Sequence, residues 1–203
     1  PVGPRAVPRP GSTDDPTGAL KARIAGARFP FLSANLLDKV THKTPAWQNL
    51  YPSKLINIGG VPIGIVGATT ESTPRTTNVM NLRDVEFAPV VPSVIAQAKA
   101  LREQGAAAVV LTIHEGANCQ SFASPRDLSS CLNNDEKIIS IARELGPYVD
   151  AIVAGHTHAG VAHFVGDMPV IQSFAYGVAF GRADLSFQKS ASGTYTLDKT
   201  RTT

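Results

Sequence analysis

The chain has 203 residues, long enough for one domain with its own apolar core. Its 43% hydrophobic and 17% charged content is that of a globular protein, and no uninterrupted apolar run is long enough to cross a bilayer. A net charge of +3, from 19 basic and 16 acidic residues with no basic cluster, argues against a nucleic-acid partner and is compatible with a small anionic substrate.

Residues 1–16 carry five prolines and no periodic apolar pattern, so they read as an extended lead-in. Asp15-Pro16 signals a helix entry, with Asp15 as N-cap and Pro16 at the first helical position. The helix is predicted over 17–26, ending near Gly26. Phe31 to Leu36 reads as a strand, and residues 37–53, with Trp47 and Tyr51, as a surface excursion. Leu55 to Ile58 and Val61 to Val66 are β-branched runs joined by Gly59-Gly60, a two-residue hairpin signal. Thr69 to Asn78 is polar, contains Pro74 and reads as a loop.

Val91, Val94, Ile95, Ala98 and Leu101 form a helical stripe within 90–104, closed by Gly105. A strand follows, then a second helix over Asp135 to Leu145 with Asn134 as its N-cap, then another strand. This alternation implies a parallel pair with right-handed crossovers. After His158 only strand patterns remain, over 161–165, 170–173, 179–187 and 195–198. They are predicted to form an antiparallel run packed as another sheet layer.

The chemistry concentrates at two strand ends. The run Ala106 to Ile113 leads to His114, Glu115 and Gly116, and the run Ala151 to Ala154 leads to Gly155-His156-Thr157-His158. If the backbone stays extended past Gly155, His156 and His158 point to the same side. Neutral imidazole is the commonest protein metal ligand. Two apolar strands that each deliver histidine at the carboxyl end match the usual place of ligand sites in α/β sheets.

Leu111-Thr112-Ile113-His114-Glu115-Gly116 and Val153-Ala154-Gly155-His156-Thr157-His158 resemble motifs of the calcineurin-like metallophosphoesterases, in their secreted bacterial 5'-nucleotidase branch. Ala27 to Leu36, Ile58 to Gly67, Pro169 to Phe174 and Gly181 to Leu185 resemble further segments of that branch, in the same order. The resemblance implies an α/β (α+β) fold, a partial metallophosphoesterase β-sandwich of mixed sheets flanked by helices. It implies a single partial catalytic domain over 1–203, two divalent metal ions (Zn, Mn, Mg, Fe or Co), and hydrolysis of phosphate monoesters, nucleoside 5'-phosphates above all. By resemblance His114 and His156 bind one metal and His158 the other. A periplasmic, extracellular or cell-surface bacterial location is also implied.

The Asp-x-His and Asn-His motifs that supply the family's remaining ligands do not occur in the sequence, and Gly166-Asp167 lies after the histidines instead of before them. The chain is therefore expected to be the second part of the catalytic domain, with the catalytic residues on a missing N-terminal half. That half is expected as a separate segment, or to be replaced by self-association through exposed apolar surface. A competing reading is a non-catalytic metal-binding or association domain. A serine hydrolase is disfavoured by the lack of a Gly-x-Ser-x-Gly elbow.

Cys119 and Cys131 are the only cysteines and share one polar stretch. An isolated even pair favours a local disulfide over two free thiols, and their spacing fits no zinc template. A disulfide places the protein in an oxidising compartment, and with no signal peptide at Pro1 a processed chain is expected. Asn118 is the candidate substrate-phosphate contact if that loop folds over the site. His163 reads as structural, His42 as solvated, Asn35 as a turn residue, and Glu115 as pointing away from the site that its neighbour His114 faces.

Overall fold

The computed structural model describes residues 15–131 and 137–203. The first helix, α1, spans Gly18–Gly26, with Thr17 at its N-cap. Asp15 lies two residues before the N-cap instead of at it: its carboxylate accepts from the Thr17 amide and hydroxyl, both at 2.8 Å. The expected strand from Phe31 breaks into β1 (Phe31–Leu32) and β2 (Leu36–Asp38). The break lies at Asn35, which is fully buried and no turn residue. Its amide nitrogen donates to the Thr69 and Ala88 carbonyls, and its oxygen accepts from the Thr69 amide. The chain thereby leaves one small sheet and enters another.

Residues 37–53 are more than an excursion. They contain β3 (Leu50–Tyr51), which pairs in parallel with β1. Ile24, Leu36, Leu50 and Val85 form a minor core there, with Trp47 packed against it.

The hairpin is formed by β4 (Ser53–Ile58) and β5 (Val61–Thr69). Its two glycines have φ of 59° and 92°, the left-handed pair that a tight hairpin with the right twist requires. The following loop holds a single turn, α2 (Thr73–Thr76), and β6 (Val85–Phe87) then pairs with β2. Helix α3 (Val90–Glu103) leads to β7 (Ala108–His114), and α4 (Lys137–Leu145) to β8 (Ala151–Val153). Asn134 and Asp135 lie outside the described residues. The chain closes with β9 (Gly160–Val165), β10 (Met168–Ser173), β11 (Ser186–Lys189) and β12 (Tyr195–Asp198).

The main sheet has six strands in the order β4-β5-β7-β8-β10-β9. Its central strands are parallel and its two edges antiparallel. The α/β class, a mixed sheet flanked by helices, is thus the one expected. The strands after His158 do not form a separate layer as predicted. The largely buried β10 inserts beside β8 and carries β9 to the edge, while β11 and β12 make a detached ribbon. Residues 179–185 are irregular where a strand was expected, and Phe180 there is exposed.

The two faces of the sheet differ. Val66, Val109, Leu111, Ile152 and Val170 point into the core shared with Val94, Ala98 and Leu101 of α3 and Ile138, Ile139 and Leu145 of α4. The opposite face carries a row that runs Gly67, Thr112, Val153, Ile171, Ala162 across five strands. Thr112 and Ala162 on that row are exposed, and Val153 is 43% exposed although it sits on a central strand. His114 follows Thr112 on the same face, so the open face leads directly to the histidine. Among the described residues, no helix is long and apolar enough to cross a membrane.

Candidate metal centre

His114 is the last residue of β7 and is exposed, while Ile113 and Glu115 on either side of it are buried. Strand alternation alone produces this arrangement. His156 lies three residues beyond β8, the parallel neighbour of β7. The Nδ1 atom of His156 stands 3.1 Å from Nε2 of His114, and the two rings meet edge to face at 4.8 Å.

The backbone does not stay extended past Gly155, contrary to the simplest reading of the sequence. His156 has φ of 81° and His158 of 58°, both left-handed and uncommon outside glycine. Tertiary contacts hold this bend. The Gly155 amide donates to the Glu115 carbonyl at 3.0 Å. Thr157 Oγ1 donates to the Ala117 carbonyl at 2.7 Å and accepts from Gln172 Nε2 at 2.6 Å. Gln172, buried on β10, also donates to the Ala159 carbonyl. The bend means that His156 and His158 are not placed as alternate residues of an extended strand. Among the described residues His158 does not join His114 and His156 in a three-ligand cluster, and its exposed ring packs edge-on against Tyr176 at 5.4 Å.

The glycine that permits close approach is Gly116, not Gly155. A β-carbon on Gly116 would lie 2.2 Å from the Gly155 carbonyl oxygen and 2.7 Å from Thr157 Oγ1, whereas Gly155 has room for one. Thr157, Gln172 and Gly116 were not legible as site residues, because each acts through a partner distant in sequence.

Glu115 turns away from the side that His114 faces, as strand alternation requires, and is not idle. Its buried carboxylate accepts from Thr70 Oγ1 and from Lys137 Nζ, each at 2.8 Å. Thr70, Ser72, Glu115, Gly116, Lys137, His156 and Thr157 line a cavity of about 350 Å³ beside the histidine pair. Asn118 is exposed, and its Oδ1 accepts from Gln120 in the same loop. Cys119 and Cys131 form the expected disulfide. His163 is buried, and His42 is not simply solvated: its Nδ1 lies 2.5 Å from Glu86 Oε1.

Burial, and after it the neighbouring His156, hold the His114 imidazolium below its ordinary range. Both causes favour the neutral ring, the form that binds metal. Two imidazole nitrogens bound at ordinary lengths to one tetrahedral ion stand about 3.3 Å apart, so the observed 3.1 Å separation fits a shared ion.

The fold is shared with calcineurin-like phosphoesterases and 5'-nucleotidases of known structure. The solved calcineurin-like phosphoesterase YfkN from Bacillus subtilis superposes with a TM-score of 0.66 over 88% of this chain and 56% of its own, at 22% identity. Among curated proteins, UshA of Yersinia enterocolitica is 29% identical over 86% of this chain. The venom 5'-nucleotidase of Crotalus adamanteus is 27% identical over 84%, and the endonuclease YhcR of Bacillus subtilis 26% identical over 81%. These matches cover only 34%, 29% and 12% of the relatives' own lengths, in that order. No protein-family model matches the sequence. The chain is thus similar in sequence to 5'-nucleotidases and in fold to a calcineurin-like phosphoesterase, and it spans only part of the length of those proteins.

Proposed function

We propose that this chain supplies half of a dinuclear metal centre for hydrolysis of phosphate monoesters, most of all nucleoside 5'-phosphates. The observation that carries the proposal is the 3.1 Å approach of His156 Nδ1 to His114 Nε2 at the carboxyl ends of adjacent parallel strands. In this reading His114 and His156 hold one divalent ion, and His158, on the far side of the bend, serves a second. Bound divalent ions supply Lewis acidity toward the phosphoryl oxygens and an activated water at neutral pH. The chain's own residues present neutral imidazoles, fix the bend through Thr157 and Gln172, and keep a polar cavity beside the pair. The venom relative's name supports nucleotides as the substrate class, and the endonuclease name among the relatives supports phosphate esters generally.

Two imidazoles do not complete a metal shell. The remaining, carboxylate-bearing ligands come in this proposal from a segment that covers the open sheet face, either a separate stretch of polypeptide or a second copy of the chain. The exposed row at Thr112 and Val153, which leads to His114, supports a covered state. An extracytoplasmic, cell-surface location fits the disulfide and the name of a listerial relative, a cell wall protein 26% identical over 73% of this chain.

The test is phosphate release from nucleoside 5'-monophosphates in the presence of Mn²⁺ or Zn²⁺, measured for the chain in its full protein context and for His156→Ala. The variant is expected to lose at least about tenfold to a hundredfold, as loss of a metal-site contact does. Equal activity in both would rule the proposal out. Metal binding without any phosphate release would favour the non-catalytic reading.

A further inference from the structure

Away from the histidine pair lies a second group of donors that the proposed function does not use. One atom each from Cys119, Cys131 and His163 lie within 4.8 Å of one another, and all three side chains are buried. The cysteines are joined as a disulfide, which leaves their sulfurs poor ligands. His163 sits on β9 with 2% exposure. Its Nε2 lies 3.0 Å from the Ser121 carbonyl oxygen, which only accepts, so Nε2 carries the proton. Nδ1 is therefore the nitrogen with the free lone pair, and it has no hydrogen-bond partner. A buried acceptor without a partner is uncommon and calls for an explanation.

We propose that Cys119, Cys131 and His163 form a buried Cys₂His transition-metal site, suited to zinc, once a small-molecule thiol has reduced the disulfide. The reductant gives two electrons and two protons to the S–S bond, yielding two thiols and its own disulfide. Zn²⁺ then binds both sulfurs as thiolates and His163 through Nδ1, and the two thiol protons pass to solvent. A fourth position is left for water, as in known three-ligand zinc sites. The Ser121 carbonyl plays the part that backbone carbonyls commonly play behind a metal-bound imidazole: it takes the other ring N–H and fixes the tautomer. A spacing that matches no sequence template is no obstacle here, because the third ligand comes from β9, 32 residues beyond Cys131. In oxidising surroundings the disulfide closes the loop that follows β7, and in reducing surroundings the metal closes the same loop.

The experiment is an anaerobic Co²⁺ titration of the chain after phosphine reduction, in a His114→Ala/His156→Ala background that removes the other histidine pair. The reduced protein is expected to take up about one Co²⁺ with the thiolate-to-cobalt charge-transfer bands of tetrahedral sulfur ligation. Zn²⁺ should displace those bands, and the oxidised protein should not show them. His163→Ala should weaken uptake by at least about tenfold. Far-UV circular dichroism keeps the result interpretable. A reduced, folded protein without the thiolate bands would overturn the proposal. So would unchanged affinity in His163→Ala, which would mean that the cysteines bind metal without the histidine. A reduced protein that unfolds and is not refolded by Co²⁺ would overturn it as well.

Discussion

Gly116 and Gly155 pass so closely that a β-carbon on Gly116 would lie 2.2 Å from the Gly155 carbonyl oxygen. The contact joins the end of the His114 strand to the bend that carries His156, so the spacing of the two imidazoles depends on a missing side chain. Gly116→Ala is expected to push the bend away and weaken metal binding by about a hundredfold, in keeping with the sensitivity of such sites to small misplacements. Calorimetric titration with Zn²⁺ on the oxidised protein checks this. An unchanged affinity would show that the contact does not set the pair.

Thr157 holds the same bend by donating to Ala117 and accepting from Gln172. Thr157→Val keeps the shape and removes both bonds. Its metal affinity is expected to fall by about 10- to 100-fold, while Thr157→Ser recovers most of it. If valine and serine behave alike, the hydroxyl has no positioning role.

Burial and the nearby His156 lower the pKa of His114 from 6.5. The folded state then binds fewer protons than the unfolded chain as pH drops through 6.5, so stability is lost between 6.5 and the lower folded value and is unaffected above it. In the metal-free protein, NMR titration should place His114 below 6.5. His156→Ala should move it part of the way back, because burial remains. A normal titration of His114 in the wild type would contradict this account of the site.

Asn35 is buried and bridges Thr69, at the end of β5, to Ala88, just before α3. Asn35→Ala leaves buried backbone groups without partners and is expected to cost about 2 kcal/mol, read from urea unfolding. A loss below about 0.5 kcal/mol, the range of surface substitutions, would mean that water replaces the side chain.

The elements legible in the sequence were those written in local periodicity. The α3 stripe, the apolar run of β7 and the Gly59-Gly60 turn each carry their signal within a few residues. The pairing of β10 beside β8 was not legible, because Met168 to Ser173 reads the same in a second layer as in the main sheet. Asn35 misled for a similar reason, since an asparagine at a strand end is a turn residue by local chemistry until distant carbonyls surround it. At the site, the identity and strand-end position of His114 and His156 were legible. The left-handed bend that brings them together was not, because it rests on Gly116, Thr157 and Gln172 meeting from three different segments.

The central claim is that His114 and His156 jointly hold a divalent ion. The most direct measurement is the metal content of the oxidised chain in its full protein context, with both cysteines tied up, after incubation with Zn²⁺ and exhaustive dialysis, beside His156→Ala. The wild type is expected to retain about one ion more than the variant. Equal metal in both proteins, or none in the wild type, would contradict it.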